Sequence, residues 1–172
     1  TIDLNAFANC SSLSNISLPD GLINLGERAF EGCTSLTSVT IPDNVVRVKA
    51  EVGDPMSSPF SNCTSLTEIK FNSTSKMQAI PPFFYAGTGV KNAVIPEGIV
   101  KIGEGAFGEN VENVTLSSTV SALSLRADSF YGMGRGLKSI FVDDANPYFT
   151  SIDGVLLNAD ASTLVLYPPL KE

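Results

Sequence analysis

The 172-residue chain contains no histidine and no tryptophan. Histidine is the commonest general base near neutral pH and a frequent metal ligand, so its absence removes most acid–base and metal chemistry. The three cysteines are too few for a tetrahedral zinc site, which takes four ligands. Carboxylate chemistry survives this loss. The composition favours a protein that is not an enzyme and that has no cofactor and no metal.

Positive charge and long apolar runs are also scarce. The chain has 11 Lys and Arg against 18 Asp and Glu, a formal net charge of −7. Such a surface repels a phosphate backbone, and no basic cluster offsets it, which argues against nucleic-acid binding. No apolar run approaches the roughly 18 residues of a membrane-spanning helix, and residues 1–4 do not resemble a signal peptide. We expect no membrane insertion of this chain.

Repetition is the most informative feature of the sequence. One phrase occurs six times: an Ala-Phe pair, a few small residues, then Leu-x-x-Val-x-Ile. The copy at 29–42 is the cleanest, Ala-Phe-Glu-Gly-Cys-Thr-Ser-Leu-Thr-Ser-Val-Thr-Ile-Pro. A period of about 20–29 residues with such a core is typical of leucine-rich repeats. The phenylalanines recur at steps of 23, 30, 24, 23 and 23 residues, and they are Phe7, Phe30, Phe60, Phe84, Phe107 and Phe130.

Each copy predicts one short strand followed by a turn. The last apolar residues of the phrase alternate, as in a strand with one buried face. Proline follows the strand in three copies, where its missing N–H ends the ladder. In the second copy we expect Leu36, Val39 and Ile41 inside and Thr37, Ser38 and Thr40 outside.

Because a single unit is too small to bury its apolar face, stacked units must share one core. The sequence therefore predicts a right-handed leucine-rich repeat solenoid with a parallel β-sheet on its concave side. Extended segments and short helical turns should form the convex side. We place one helical turn at each Ala-Phe pair, as in residues 26–30, where it would point the phenylalanine ring inward.

The predicted array covers residues 1–142 and carries an insertion at 49–58, where one step is 30 residues instead of 23. After residue 142 the period stops. Residues 143–172 predict a hairpin that turns on Asp153 and Gly154, followed by a third strand. Such a terminal unit would cap or interrupt the array.

Several segments closely resemble the BspA-like leucine-rich repeat family. They are Gly-Glu-Arg-Ala-Phe-Glu-Gly-Cys-Thr-Ser-Leu at 26–36 and Thr-Ile-Pro-Asp-Asn-Val at 40–45, together with the ending at 146–156 and 166–168. The resemblance implies a secreted or cell-surface protein of host-associated bacteria or some protozoa, with adhesion to host matrix proteins or other cells. It transfers no catalytic residue. Three copies have another residue in place of the proline, namely Asn72, Ser117 and Asp143.

Cys10, Cys33 and Cys63 each follow a repeat phenylalanine by three residues. A disulfide and a metal site are the functional alternatives. Side chains at one repeat position point the same way, whereas a disulfide needs converging Cβ atoms. We therefore interpret the three cysteines as small buried core thiols without a disulfide.

Three other patterns suggest chemistry. The glycine-rich segment 132–136 lacks the Lys and Ser or Thr of a phosphate loop, so it indicates a turn insertion. Paired carboxylates on different rungs could serve glycoside hydrolysis, which is a distant third function for this chain. An oxygen-rich group could suit calcium, but its spacing favours turn capping, and it consists of Asp143, Asp144, Asn146 and Asp153.

The outward strand positions are the predicted ligand surface, because the sheet of a solenoid is its broadest ordered face. We expect a protein or glycan on a host or neighbouring cell surface to bind there, which would make the chain an extracellular interaction module of adhesin type. The alternative is a structural spacer within a larger surface protein. The predicted contact residues are Glu68, Lys70, Lys91, Asn92, Glu112, Thr115, Lys138 and Phe141.

Overall fold

The computed structural model describes residues 1–51, 54–72, 75–124 and 134–172. The chain forms a parallel-strand solenoid of about five turns. A three-stranded antiparallel unit follows the solenoid. In chain order the strands are β1 (Asn24–Leu25), β2 (Ser38–Ile41), β3 (Arg47–Val48), β4 (Glu68–Phe71), β5 (Ala79–Ile80), β6 (Asn92–Val94), β7 (Lys101–Ile102), β8 (Asn113–Leu116), β9 (Ala122–Leu123), β10 (Ser139–Val142), β11 (Phe149–Ile152), β12 (Val155–Asn158) and β13 (Leu164–Leu166).

The parallel strands lie in two rows. The even-numbered strands β2 to β10 come from the Leu-x-x-Val-x-Ile phrases, and the shorter odd-numbered strands β1 to β9 come from the returning segments. Strands pair in register, so that Val39 opposes Ile69 and Ala93 opposes Val114. Among the described strands, each row is interrupted once. The longer row consists of a β2–β4 sheet and a β6–β8–β10 sheet, and the shorter row of β1–β3 and β5–β7–β9.

Two columns of apolar side chains fill the interior, as predicted. The leucine column is buried at Leu36, Leu66, Val90, Val111 and Leu137 and partly buried at Leu13. The phenylalanine column is fully buried at Phe30, Phe60, Phe84 and Phe107 and partly buried at Phe7, whereas Phe130 lies outside the described residues. In β2, Val39 and Ile41 are buried and Thr40 is exposed, which confirms the predicted alternation.

The helical turns predicted at the Ala-Phe pairs are not formed at any pair that the structure describes. The described residues contain no α-helix, and none of their helical segments is long and apolar enough to cross a membrane. In the second copy, Arg28 and Gly32 take left-handed φ angles of 52° and 70°, which are incompatible with a right-handed helix. The Phe30 N–H bonds to the Pro59 carbonyl of the next rung at 2.8 Å. Because this donor serves stacking, it cannot serve the i to i−4 bond of a helix.

Of the insertion at 49–58, residues 52 and 53 lie outside the described residues, and the segment from Asp54 onward contacts the second copy. A short 3₁₀ turn at Pro55–Ser57 begins after Asp54, whose carboxylate accepts a hydrogen bond from the Met56 N–H. The same carboxylate pairs with the Arg28 guanidinium at 3.0 Å. The Asp54 side chain therefore links the insertion to the neighbouring rung.

The terminal unit packs on the last strand of the array. Its hairpin turns on Asp153 and Gly154, whose φ angles of 51° and 77° fit a type I′ turn, and this confirms the predicted hairpin. The Ile140 N–H of β10 donates to the Gly154 carbonyl at 2.9 Å. Leu156 of β12 is fully buried in the core of the array. The unit thus continues the interior beyond β10.

Candidate functional site

The outward side chains of the longer row of strands, β2, β4, β6, β8 and β10, form one surface, which we name the strand face. In each copy from the third onward it presents three positions: the residue before the strand and the first and third residues of the strand. From β6 to β10 these positions align into three rows that cross the strands. All eight predicted contact residues lie on this face: Glu68, Lys70, Lys91, Asn92, Glu112, Thr115, Lys138 and Phe141.

The first row is charged. Lys91 and Lys138 both bind the Glu112 carboxylate, at Nζ–Oε distances of 3.1 and 2.8 Å. Hydrogen bonds from Lys138 and Lys91 lower the pKa of Glu112, and the bond to Glu112 raises the pKa of Lys138. Exposed ion pairs add little stability. Their effect here is to hold three long side chains in one arrangement that carries a single excess positive charge.

The second row is a chain of amide and hydroxyl groups. The Asn113 side-chain amide donates to Asn92 Oδ1 at 2.8 Å, and the Ser139 hydroxyl donates to Asn113 Oδ1 at 2.6 Å. The repeat register places these three residues directly opposite one another. Their orientations are therefore fixed before any ligand binds.

The third row is apolar at both ends. Val94 and Phe141 flank Thr115 in register, and their side chains are 62% and 51% exposed. An exposed aromatic ring next to fixed polar groups is typical of the anchor residues of protein interfaces. The face therefore offers charged, polar and apolar contacts within three adjacent strands.

The strand face opens between β4 and β6. A cleft of about 870 Å³ is lined there by Glu68, Lys70, Lys91 and Asn92, with Phe71 among its other lining residues. Lys70 and Glu68 form their own ion pair at 3.0 Å. The sequence placed these residues on one face but gave no sign of the opening, because the strand phrase has the same length in every copy.

The cysteines differ by rung. The Cys63 thiol donates to the Phe30 carbonyl at 3.0 Å, and the Cys33 thiol donates to the Phe7 carbonyl at 3.1 Å. Burial raises the pKa of both thiols, that of Cys63 to about 12. These two are core thiols, as predicted. Cys10 is exposed, so the prediction is wrong there, because its turn lies at the open end of the described array.

Two members of the oxygen-rich group, Asp143 and Asn146, cap turns, as predicted. Asp143 Oδ1 accepts the Ala145 N–H, and Asn146 Oδ1 accepts the N–H groups of Tyr148 and Phe149. Across the described ranges, no group of three or more His, Cys, Asp or Glu side chains is placed to hold a metal ion. Of the glycine-rich segment 132–136, the first two residues lie outside the described residues.

The carboxylates of the strand face do not suit glycoside hydrolysis. A glycosidase needs one carboxyl group whose pKa is raised so that it can act as the acid. Glu112 is held ionised by two lysines, which lower its pKa, and Glu68 is paired with Lys70. Glu112 is therefore unsuited to act as the acid, and the Glu68 carboxylate is engaged by Lys70.

Comparison with known proteins identifies the repeat. The family model described as "BspA type Leucine rich repeat region" matches residues 1–123 and 56–152, in six copies. Comparison with curated protein sequences finds no match.

Two solved structures have a similar fold. A leucine-rich repeat protein from Eubacterium ventriosum gives a TM-score of 0.70 at 22% identity, with 90% of this chain and 38% of that chain covered. The pneumococcal vaccine antigen PcpA gives a TM-score of 0.53 at 21% identity, with 77% and 37% covered. This chain thus spans less than two fifths of the length of either, and such identities show the fold alone. Because the family model extends from residue 1 to residue 152, the chain belongs to the BspA-type leucine-rich repeat family.

Proposed function

We propose that this chain is an extracellular binding module of adhesin type that docks on a protein or glycan of a host or neighbouring cell surface. The observation that carries the proposal is the ordered face of β6, β8 and β10. Its three rows are the Lys91–Glu112–Lys138 ion pairs, the Asn92–Asn113–Ser139 hydrogen-bond chain, and the exposed row Val94, Thr115 and Phe141.

This arrangement lowers the entropic penalty of binding. Immobilising a flexible side chain at an interface costs about 0.5–1.5 kcal/mol. Lys91, Lys138 and Asn92 are already held by partners on the neighbouring strand, so a ligand does not need to order them from a free state. The apolar ring of Phe141 supplies an anchor that polar rows alone would lack.

Two observations support an extracellular setting. The similar pneumococcal protein is described as a vaccine antigen. The chain also has a net charge of −7, which suits a solvated surface. Secretion or attachment to a cell surface is therefore part of the proposal.

The spacer function is the second candidate, and the β2 part of the strand face favours it. Thr37, Ser38 and Thr40 carry no charge and no ring there. A chain that only separated other domains would need nothing more than such a face. The candidates differ in what they predict for Phe141, because a spacer does not require an exposed anchor.

The test is a binding screen of the chain against purified extracellular matrix proteins and a glycan array. Phe141→Ser should weaken any binding found by about tenfold or more, as expected for an interface anchor. Tyr167→Ser is the matched control, since Tyr167 is 54% exposed, close to the 51% of Phe141, but lies in the terminal unit. Absence of binding in the whole screen, or equal losses in both variants, would contradict the proposed function.

A further inference from the structure

The cleft between β4 and β6 is bordered by two strand edges that have no partner among the described residues. β4 pairs with β2, and β6 pairs with β8. Successive residues of a parallel strand direct their N–H and C=O groups to alternate sides. The Thr37 carbonyl accepts the Thr67 N–H and therefore points toward β4. By this alternation, every second residue of β2 counted from Thr37 also bonds to β4, and in the observed register Lys70 of β4 bonds to them. The main-chain groups of its neighbours Ile69 and Phe71 therefore point to the other side, toward the cleft.

The bonds between β6 and β8 likewise give the orientation of β6. The Lys91 carbonyl accepts the Asn113 N–H at 3.0 Å, and the Ile95 N–H donates to the Thr115 carbonyl at 2.9 Å. The main-chain groups of Lys91 and Ile95 therefore point toward β8. The intervening Asn92 and Val94 direct their N–H and C=O groups toward β4. The main-chain donors and acceptors of β4 and those of β6 thus face each other across the opening.

The opening has fixed ends. Before the two strands begin, the Gly89 N–H bonds to the Leu66 carbonyl at 2.9 Å. After they end, the Ser75 N–H bonds to the Glu97 carbonyl at 3.1 Å. Gly98, next to the second bond, has a φ of 94° and approaches the Ser75 backbone too closely for any Cβ. The third and fourth rungs are therefore joined at both ends and separated between them.

We propose that this cleft binds an extended segment of a partner protein, which enters as an additional strand and bonds to β4 and β6 through its main chain. The inference rests on the proposed function and names the ligand class and its position. A polypeptide carries N–H and C=O groups at strand spacing, which a glycan does not, so it matches both edges. The volume of about 870 Å³ lies within the usual range of ligand sites.

Charge favours a different protein over a second copy of this chain. Two copies would each carry −7 and would repel one another. The rim of the cleft has the opposite local balance, because its charged residues are two lysines and one glutamate: Lys70, Lys91 and Glu68. A segment with an acidic residue on its outward side fits this rim.

The probe for the test is a capped peptide with the sequence of residues 36–42, Leu-Thr-Ser-Val-Thr-Ile-Pro, because this strand phrase already pairs with β4 in the array. Titration into the isotopically labelled chain should shift and protect the amides of Ile69 and Val94 and leave those of remote β12 unchanged. The same peptide with alternate N-methyl groups should bind at least about tenfold more weakly, since it loses two or three hydrogen bonds.

Two variants of one residue separate main-chain from side-chain binding. Val94→Pro removes an N–H that faces the cleft and leaves the Ile95–Thr115 bond in place, and it should weaken peptide binding by about tenfold. Val94→Thr keeps the N–H and changes only the side chain, so it should weaken peptide binding clearly less than Val94→Pro does. Equal losses in both variants would overturn main-chain recognition.

Three results overturn the inference without touching the proposed function. The first is that an oligosaccharide, but not the peptide, shifts the amides of the cleft. The second is that the amides of Ile69 and Val94 are protected from exchange in the free chain. The third is that the chain sediments as a dimer and that Val94→Pro abolishes this dimer. In each case the Phe141→Ser screen still decides whether the strand face binds a ligand. If that screen fails while the peptide binds, the cleft inference stands as a local property and the proposed function is wrong.

Discussion

The interior and the strand face of this solenoid behave differently at the junction of the third and fourth copies. In the interior, the rings of Phe60 and Phe84 remain in contact with centroids 5.8 Å apart. On the strand face, β4 and β6 are not hydrogen-bonded to each other. Apolar burial has no directional requirement, whereas a ladder needs donors and acceptors within about 3 Å and in line. The core can therefore continue through a junction at which strand pairing stops.

Among the residues that the structure describes, the fourth copy also buries the most large rings. Phe83 and Tyr85 flank Phe84, and all three are at most 2% exposed. The ring pair at the junction is nearly perpendicular, at 82°, whereas Phe30 and Phe60 are stacked at 10°. The extra rings thus coincide with the change in stacking and with the separation of the strands.

Thiol labelling should show the largest contrast between interior and exterior. Cys10 is exposed, whereas Cys63 is buried and its pKa is raised to about 12. We expect Ellman's reagent to modify Cys63 at least about a thousandfold more slowly than Cys10 in the native chain, because reaction requires opening of the core. In denaturant without reductant, three thiols should react. A count of one would show a disulfide and contradict the assignment.

The next effect is the loss of a ring from the phenylalanine column. Phe107→Ala should lower the free energy of unfolding by about 3–5 kcal/mol, since the ring is fully buried between neighbours. The matched control is Phe7→Ala, whose ring is only partly buried and should cost clearly less. Urea unfolding monitored by circular dichroism measures both. Equal losses would mean that burial does not increase along the column.

Backbone approach between rungs predicts a smaller effect. Gly108 has a φ of 62°, and a Cβ there would lie 2.7 Å from the Ala86 Cα. Gly108→Ala should therefore destabilise the chain by about 1–3 kcal/mol. Gly21→Ala is the control, because a Cβ at Gly21 meets nothing within 4 Å, and it should change stability by less than about 1 kcal/mol. Unfolding midpoints that rank the two variants in the opposite order would refute the stacking described.

The smallest effect concerns the charged row of the strand face. In the folded chain the pKa of Glu112 is lowered below its ordinary 4.5 by bonds from Lys138 and Lys91. A lowered carboxyl pKa stabilises the fold above the unfolded pKa, and this contribution is lost as the pH falls through the folded pKa. Carbon-detected NMR titration should give a midpoint below 4.5 that rises in Lys138→Met. A midpoint that Lys138→Met leaves unchanged would show that the ion pair is absent in solution.

Much of the fold was predictable from the repeat. The alternation of Leu36, Val39 and Ile41 assigns one buried face to each strand, and the structure confirms it. The turn conformation was not predictable, because Arg28 adopts a φ of 52°, which an arginine seldom takes and no local signal announces. Stacking on the next rung imposes that angle, and stacking is not a local property.

The site was predictable in part for the same reason. Lys91, Glu112 and Lys138 occupy one repeat position with alternating charge, so their pairing across strands follows from the register. The cleft was not predictable, because β4 and β6 have ordinary strand sequences. Its position coincides with the large buried side chains Phe83, Phe84 and Tyr85 of the fourth copy, which lie outside the strand phrase.

Hydrogen exchange of individual amides tests the central claim, an interior that continues while the strand face divides. We expect adjacent residues of one strand to differ. The Val94 N–H should exchange fast because it faces the cleft, and the Ile95 N–H should exchange slowly because it bonds to Thr115. In β4, Ile69 should likewise exchange faster than Lys70. Equal protection of Val94 and Ile95 would show one unbroken sheet from β2 to β10 and contradict the account.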